Sequence, residues 1–597
     1  MPTAEIPRRW AWPGLAAVLA VGLALRLWGV RQGLPYVYNA DEADHFVLRA
    51  VRMFGHDLNP HYFANPPAFT YLLHFLFALA YGGGAGVQRT FALHPQDLYV
   101  FARASAAVLG TLALWLLYAT GARLFNRAVG LLAAAIEGVA FLPVFYAHLA
   151  LNDVPTLAPL TLSLLGSAGV LRKGRRRDYL LAGLGLGLAC ASKYTAGIVL
   201  LPLAAAAAAR YLEGGPGAGR RAIGRLALAG AAALLAFGVA NPYALLDYHS
   251  FHSELVHQST LSAEAQGKLG APKDGGVAYY LWSLTWGLGW VPALAALGGA
   301  VSVWRQSPRL GWLLVPAPLL FLIFMGLQGR YFGRWLLPIL PIACLLAASF
   351  TLTVAQALAR RLARARAGGE EGVPPGRHRA ERRRRSGGPP LALAGAVLLI
   401  AAVLAQGLIY SVHAGLTLSR ADTRNETRAW LLAHVPAGTP IVVEPVAPDE
   451  WARERRVASA GAPDPYRWNK YPSLRGRISH GTLTAGASQL VGIEEYERTL
   501  APALIGYYEA HRYCWVVSGS TQSGRAFADP AAVPEAIAYY RALAREGEVV
   551  YRVSPYARGH GPVAFGFDWS FDYYPLAYHR PGPQMTVYRL RGGRCAR

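Results

Sequence analysis

The sequence alternates long apolar runs with short loops rich in arginine, and this alternation constrains the fold more than any other feature. Runs such as Trp12–Val30 and Gly333–Ala357 approach or exceed the roughly twenty residues that cross a bilayer as a helix. Of the 597 residues, 54% are hydrophobic and only 15% are charged, which does not suit a single soluble globule. Because the first run lacks a clear small-residue cleavage site, we interpret it as a membrane span rather than a signal peptide. The sequence therefore predicts an integral membrane protein.

The arginine-rich loops also predict the topology, because basic residues collect on the cytoplasmic side of a membrane. Basic residues precede the first run, so the N-terminus is expected inside and the loop 31–97 outside. Continuing this count predicts about eleven spans, a second outer loop at 241–276 and a disordered, basic cytoplasmic linker at 360–389. The apolar run Ala68–Tyr81 is predicted to be a surface or re-entrant helix, since counting it as a span would place later arginines outside.

The formal net charge is +24, which raises the question of a nucleic-acid partner. The arginines, however, lie in the short loops between apolar runs, as the positive-inside rule requires of a membrane protein. We therefore predict the lipid bilayer, and no nucleic acid, as the partner of this charge.

The chain changes character after residue 412, where strands begin to alternate with helices. Ile441–Val443 and Met585–Leu590 are typical of strands, and Pro534–Ala544 between them is predicted to be helical. We therefore divide the chain into a transmembrane domain, residues 1–412, and an extracytoplasmic α/β domain, residues 413–597.

Two features of this C-terminal domain stay open on the sequence alone. Cys514 and Cys595 lie in or just after predicted strands, and they can form a disulfide if the domain is outside the cytoplasm. The stretch Phe565–Pro583 is densely aromatic. Its rings could stack on sugars, but we favour a role in closing a core or in an aromatic belt at the membrane surface.

The first outer loop carries an adjacent carboxylate pair, Asp41 and Glu42, at the start of a helical pattern. Apolar residues from Phe46 to Phe54 recur at intervals of three and four, with arginines on the opposite face. This pattern predicts an amphipathic helix on the membrane surface with two carboxylates at its N-terminus. Carboxylates beside a bilayer are costly, so we expect them to have a function. The alternative is an N-cap followed by a solvated first turn.

Other polar side chains are expected at the same outer face, at the ends of the predicted spans. They are Asn152, Asp153, Lys193, Asp247, Arg330 and Arg334. Arg330 and Arg334 break the positive-inside rule, and guanidinium is the side chain best matched to phosphate. We therefore predict an anion site there; the alternative is an ion pair with Asp153 or Glu42. If Asp41 acts as a base it should stay unpaired, which leaves fewer carboxylates for such pairs.

No P-loop, dinucleotide fingerprint or Cys/His metal motif is recognisable in the sequence. His249, His252 and His257 share one outer loop and are candidate metal ligands, but we favour a solvated loop. The sequence thus predicts no required cofactor. A divalent metal is compatible with the outer carboxylates but is not predicted.

Five short motifs, taken in this order, resemble those of the GT-C membrane glycosyltransferases. The resemblance is strongest to the bacterial protein-mannosyltransferase-like and aminoarabinose-transferase-like enzymes, and it covers about residues 15–360 and the C-terminal domain. The motifs are Asp41-Glu42, Asn65-Pro66-Pro67, Asn152-Asp153-Val154-Pro155, Ser192-Lys193-Tyr194-Thr195, and Arg330-Tyr331 followed by Leu337-Pro338. Relatives often carry lysine where this chain has Asn65. Phosphate binding is therefore expected to rest on Lys193, Arg330 or Arg334.

The resemblance implies an inverting transferase on the outer face of a bacterial plasma membrane. Such an enzyme moves a pentose or hexose, mannose-like or arabinose-like, from a polyprenyl-phosphate donor to a hydroxyl of a lipid, glycan or protein. Asp41 would take the proton of the acceptor, and Glu42 would orient the acceptor or assist. The expected substrate-binding residues are Asn152, Asp153, His61 and Asn65.

Two other classes of protein were weighed against a transferase. A lipid-linked-sugar transporter or flippase would carry charges buried in the middle of its spans and inverted repeats. The sequence instead places its ionisable residues at the outer ends of spans, and no repeat is recognisable. A non-catalytic protein that binds envelope glycans would work through the C-terminal domain alone and would not need Asp41.

Overall fold

A computed structural model describes residues 5–213, 218–263, 269–271, 275–368, 390–454, 466–471, 496–567 and 573–596. Helices fill the chain as far as His434, and a small mixed sheet with flanking helices follows. The predicted class, a polytopic helical membrane protein with a C-terminal α/β domain, is confirmed.

Within the described residues, eight helical segments are long and apolar enough to cross a membrane. They are Arg8–Leu27, Pro95–Leu124, Tyr194–Leu212, Gly219–Ala240, Gly276–Gln306, Pro308–Gly326, Gly333–Arg361 and Leu393–His434. The last two overlap the continuous helices Leu340–Gly368 and Pro390–Leu418, which extend beyond the apolar segments at the ends that border the linker.

Shorter helices complete the bundle: Arg127–Val139 continued by Phe141–Tyr146, then Leu157–Arg172 and Arg176–Ser192. The last two pack closely, since a Cβ on Gly166 would lie 2.3 Å from the backbone nitrogen of Ala182. These three stretches match, one for one, the predicted crossings that the eight long segments leave out. The number of spans stays a prediction.

The first loop forms several short helices beside the bundle. A π-helical turn, Glu42–Phe46, leads into the α-helix Val47–Arg52, in which Val47, Ala50 and Val51 are buried as the helical pattern predicted. Ala68–Tyr81 and Gly84–Leu93 meet at 91°, which is the geometry of a re-entrant or broken helix. The turn between them uses Gly82 and Gly83, at φ +72° and +86°, where a side chain would be strained.

The second predicted outer loop is also helical, with the bounds Tyr243–Leu246 and Tyr248–Ala263. His249, His252 and His257 are exposed on the longer helix, so a solvated position is correct but a loop is not. The predicted linker 360–389 begins within the helix Leu340–Gly368, so disorder from residue 360 onward is wrong for this part. The rest of the linker lies outside the described residues.

The C-terminal domain is built on a five-stranded sheet in the order β2-β1-β3-β5-β4. Its strands are β1 Pro440–Val443, β2 Asn469–Tyr471, β3 Trp515–Gly519, β4 Gly547–Val553 and β5 Met585–Leu590. β1 pairs in parallel with β2 and β3, and β5 pairs antiparallel with β3 and β4. Its helices are Thr423–His434, Ala503–Ala510, Ser520–Ala528 and Pro534–Glu546. Cys514 and Cys595 are bonded to each other, as the sequence suggested.

The C-terminal domain contacts the first loop and the neighbouring ends of the membrane helices. The Tyr38 hydroxyl donates to Asn425 Oδ1 over 2.5 Å, and Asn425 Nδ2 donates to the carbonyl of Gly33 over 3.0 Å. From the aromatic stretch, Tyr573 is fully buried with its hydroxyl 3.1 Å from that of Tyr146, in line with the core-closing role we favoured. Because both regions lie on one face, an even number of crossings must separate them, as in the predicted topology.

Candidate active site

A cavity of about 230 Å³ lies where the first loop, the membrane helices and the C-terminal domain meet. All three regions contribute polar side chains to its walls. These are Gln32, Tyr38, Asn39, Asp41, Tyr146, His148, Arg334, Arg424, Thr521, Gln522, Arg525 and Tyr574. The cavity is the place where the structure brings predicted site residues together.

Asp41 enters this cavity from the first helical turn of the loop. The side chain of Asn39 accepts a hydrogen bond of 3.0 Å from the backbone N–H of Glu42, which fixes the start of that turn. The Asp41 carboxylate is 40% exposed, and its Oδ2 accepts a 2.6 Å bond from Arg334. Its Oδ1 lies 3.7 Å from Nε2 of His45. The carboxylate is thus both accessible and held by neighbouring groups.

Arg334 is the partner of Asp41, and this corrects one step of the sequence argument. We had expected Asp41 to stay unpaired and therefore excluded it as a partner of the arginines, which is wrong. Arg334 begins the helical segment Gly333–Ile339, and its guanidinium lies 4.9 Å from the ring centre of Phe332 and 6.0 Å from that of Tyr146. These contacts hold a cation at the edge of the cavity beside the carboxylate.

His45 completes the immediate surroundings of Asp41. Its imidazole stacks on the ring of Tyr62 with centroids 4.6 Å apart. Burial lowers the pKa of His45, and the charge of Asp41 only partly opposes this effect. His45 therefore favours the neutral form at pH 7, so Arg334 is the permanent cation next to Asp41.

Glu42 lies outside the cavity, although it neighbours Asp41 in the chain. Its carboxylate is fully buried and forms a two-point pair with Arg103, with N–O distances of 2.7 and 2.8 Å. It also accepts a 2.8 Å bond from the backbone N–H of Ala150. Arg103 in turn donates to the carbonyls of Val30 and Gln32, both at 2.9 Å. This network ties the first loop to the helix Pro95–Leu124 and to the connection that follows the helix Phe141–Tyr146.

Lys193 and Asp153 form a buried ion pair close to the cavity but not in its wall. The charges of Arg334 and Asp41 act on Lys193, so the pair belongs to the same electrostatic neighbourhood. Asn152 donates a 2.5 Å bond to the carbonyl of Ser192 and thereby holds this corner together.

The structure does not bring the remaining predicted residues into the cavity. The side chain of His61 is exposed and pairs with Asp57 at 3.3 Å. Asn65 donates to the Tyr62 hydroxyl over 2.7 Å, and the backbone N–H of Arg330 donates to the carbonyl of Ser262 over 3.3 Å. Of the two arginines that break the positive-inside rule, Arg334 lines the cavity and Arg330 does not.

Several cavity and supporting residues were not found from the sequence. Arg103 gave a usable signal, because a charged residue within an apolar span needs a buried partner. Gln522 and Arg525 gave none, since the sequence does not show which surface of the C-terminal domain faces the membrane. Within the described residues, no group of three or more His, Cys, Asp or Glu side chains is placed to hold a metal ion.

Comparison with known proteins adds a family to this geometry. Residues 65–243 match the family model described as dolichyl-phosphate-mannose-protein mannosyltransferase. The chain's resemblance to this branch of the GT-C glycosyltransferases is confirmed. The matched segment includes Asn65, Asp153 and Lys193, and glycosyl transfer is the class of activity that the match supports. No curated protein matches the sequence.

Solved structures similar to the chain include three glycosyl-transferring proteins. ArnT from Cupriavidus metallidurans bound to undecaprenyl phosphate is 16% identical, with a TM-score of 0.45, covering 73% of this chain and 83% of that one. The archaeal oligosaccharyltransferase AglB from Archaeoglobus fulgidus is 13% identical, with a TM-score of 0.48 and coverages of 96% and 77%. The arabinofuranosyltransferase AftD from Mycobacteria is 15% identical, with a TM-score of 0.42 and coverages of 100% and 40%.

Proposed function

We propose that this protein is an inverting glycosyltransferase that moves a sugar from a polyprenyl-phosphate donor to a hydroxyl acceptor on the outer face of a bacterial plasma membrane. The observation that carries the proposal is the pair of Asp41 and Arg334 at the wall of a cavity where membrane helices and the C-terminal domain meet. The matched family is named for dolichyl-phosphate-mannose, which is a sugar donor of this chemical class.

Asp41 would act as the general base. The acceptor oxygen attacks the anomeric carbon of the sugar, its proton passes to the Asp41 carboxylate, and the bond from that carbon to the phosphate oxygen breaks. Attack opposite the leaving group inverts the anomeric centre. The 2.6 Å bond from Arg334 would hold the carboxylate in place for this transfer.

Arg334 would also stabilise the departing phosphate. A guanidinium has five N–H donors in one plane, so it can contact Asp41 and a phosphate oxygen at the same time. Negative charge grows on the phosphate as the bond breaks, and a fixed cation in a partly dry cavity stabilises that charge. Lys193, held by Asp153 nearby, would supply a second positive charge.

Glu42 would be a positioning residue rather than a second base. Its buried pair with Arg103 fixes the turn on which Asp41 stands, and its carboxylate has no exposed surface to meet a substrate. The sugar, a mannose-like hexose or an arabinose-like pentose, and the acceptor, a lipid, glycan or protein, are the finer parts of the proposal. No metal or other cofactor is required by this chemistry, because side-chain cations can take the phosphate charge.

The decisive experiment compares Asp41→Asn with Asp44→Asn in the purified full chain. Asp44 is an exposed carboxylate one turn along the same segment, so it is a matched control. With polyprenyl-phosphate mannose and polyprenyl-phosphate arabinose as donors, we expect Asp41→Asn to lower turnover by about a hundredfold or more. Asp44→Asn should stay near wild type. Turnover by Asp41→Asn at the rate of the control would overturn the assignment of the base.

A further inference from the structure

A second cavity, of about 290 Å³, lies within the C-terminal domain and apart from the one that contains Asp41. The helix Ser520–Ala528 separates the two, because Gln522 on it lines the first cavity and Ser523 lines the second. The other walls of the second cavity come from the sheet and from the helix Pro534–Glu546. None of its lining residues has a role in the proposed transfer.

The sheet contributes a row of polar side chains across three strands. Thr586 on β5 is paired with Ser518 on β3 and with Arg552 on β4, so these side chains lie next to one another on one face of the sheet. Further along β5, Leu590 on the same face is fully buried in the apolar core of the domain. The core therefore gives way to polar groups at the end of the sheet that lines the second cavity.

Hydrogen bonds fix the backbone around this cavity. Glu444, just after β1, accepts 2.8 Å bonds from the hydroxyl of Ser518 and from the backbone N–H of Gly519. The backbone N–H of Ser520 donates to the carbonyl of Gln584 over 2.9 Å, and the Ser520 hydroxyl accepts a 3.0 Å bond from the backbone N–H of Gln584. These bonds join β1, β3 and β5, so the cavity is formed before any ligand arrives.

Several polar side chains of the cavity are available to a ligand. Among the described residues, the side chains of Arg541, Gln584 and Thr586 have no hydrogen-bond or ion-pair partner. Arg552 bonds to the hydroxyl of Tyr588, which is a neutral group. Two arginines thus line the cavity, and no carboxylate lines it within the part of the chain that the structure describes. Two guanidinium groups in this setting favour an anion.

An aromatic ring is the second feature that points to a ligand. Phe527 lines the cavity and is 50% exposed, and its ring centre lies 6.2 Å from that of Tyr540. An exposed ring beside hydroxyl and amide groups suits a sugar, because its C–H face can pack on the ring and its hydroxyls can bond to the polar side chains. A volume of about 290 Å³ is near the lower limit of small-molecule sites, so it suits a single sugar unit.

We propose that the second cavity binds an acidic sugar unit, one that carries a carboxylate or a phosphate, and that it is a glycan-binding site distinct from the candidate active site. Arg541 and Arg552 would hold the anion. Gln584 and Thr586 would bond to the sugar hydroxyls, and Phe527 would pack against the sugar ring. The proposal does not depend on the glycosyl transfer proposed above. A helix roughly 10 Å across separates the two cavities, so a glycan anchored at the second is held beside the first.

The test measures binding of soluble probes to the detergent-solubilised full chain by ligand-observed NMR titration. The sugar probes are methyl mannoside, its 6-phosphate and methyl glucuronide, which are neutral, phosphorylated and carboxylated, and inorganic phosphate is the fourth probe. We expect at least one acidic sugar to bind wild type about tenfold more tightly than the neutral sugar. Arg541→Gln and Arg552→Gln should each remove most of this preference, and Arg541→Lys should keep part of it. Both arginines are exposed, so these variants should fold.

The helix that carries Arg541 also supplies a matched control. Arg545 lies one turn further along this helix, is exposed, pairs with Glu546 and does not line the cavity. Arg545→Gln removes the same charge from the same helix, and we expect it to leave the preference intact. Phe527→Ala should weaken the binding of all three sugars and leave that of inorganic phosphate unchanged, since phosphate has no face to pack on a ring.

Any of three outcomes would overturn the inference: wild type binds the three sugars equally, Arg545→Gln loses the preference as fully as Arg541→Gln does, or the preference survives in both arginine variants of the cavity. Inorganic phosphate that binds as tightly as the acidic sugars, with no effect of Phe527→Ala on any probe, would contradict it in favour of a simple anion site. Probe binding requires no turnover, so the transfer assay with Asp41→Asn tests the proposed function separately.

Discussion

At the scale of single residues, two carboxylates that are neighbours in the chain lie in opposite environments. Asp41 is 40% exposed at the cavity, whereas Glu42 is fully enclosed against Arg103. The sequence predicted a function for this pair of carboxylates, but it did not predict that the two differ in exposure. The reason is that Arg103 is far along the chain, and only the folded bundle brings it to Glu42.

This difference predicts that two conservative substitutions change the thermal stability of the protein to different extents. Glu42→Gln leaves the Arg103 guanidinium buried with a neutral partner, and breaking a buried ion pair in this way typically costs about 3–5 kcal/mol. We expect a clearly lower melting temperature for Glu42→Gln and a nearly unchanged one for Asp41→Asn, measured by thermal unfolding of the full chain in detergent. If Glu42→Gln melted like wild type but lost turnover, Glu42 would act in the chemistry rather than in positioning.

At the scale of secondary structure, the periodic elements were predictable from the sequence, and the close packing between them was not. Met585–Leu590 matches β5 at both ends, and the buried face of Val47–Arg52 follows the predicted apolar pattern. The strand β2 has three residues, too few for a pattern to be visible. Leu157–Arg172 and Arg176–Ser192 match two predicted crossings, but hydropathy alone does not show that glycines let their backbones meet.

One element carries a pH dependence that the sequence did not indicate. Glu444 follows β1, and burial raises the pKa of its carboxyl from 4.5 to about 8, although its hydrogen bonds with Gly519 and Ser518 oppose this shift. The folded domain therefore retains a proton that the unfolded chain loses, so the stability of the domain is greatest below pH 4.5 and falls as pH rises toward 8.

We expect the opening equilibrium at β1 and β3 to grow with pH by up to about tenfold per unit between pH 5 and 8. Hydrogen exchange of the full chain, corrected for the intrinsic pH dependence of exchange, measures this equilibrium. Glu444→Gln should flatten the profile, whereas Glu548→Gln, at an exposed position on β4, should not. A profile of wild type that is flat over this range would contradict the buried, protonated state of Glu444.

At the scale of the whole molecule, the C-terminal domain completes the site instead of standing apart from it. The motifs that carry the family resemblance all lie in the membrane domain. They supply Asp41, and Arg334 lies between the two parts of the last motif. The opposite wall, with Gln522 and Arg525, comes from the C-terminal domain. Sequence reasoning therefore reached the half of the site that carries motifs, and the packing of the two domains decides the other half.

This packing also predicts on which side of the membrane each region lies relative to the others. The C-terminal domain contacts the first loop through Tyr38 and Asn425, so both must lie on one side of the membrane. The positive-inside rule predicts that this is the outer side. The basic linker 360–389 should lie on the other side. Single cysteines at three sites can test this in a variant whose free cysteines, Cys190 and Cys344, are replaced.

We expect His56→Cys and His560→Cys, both at exposed positions, to react with a membrane-impermeant maleimide added to spheroplasts. Gly372→Cys, in the linker, should react only in inside-out vesicles, because an odd number of spans lies between it and either of the other two sites. Labelling of His56→Cys and His560→Cys from opposite faces would contradict the contact between the two domains. Labelling of Gly372→Cys together with His560→Cys would instead mean that the helix Pro390–Leu418 does not cross the membrane, and the span count would fall with it.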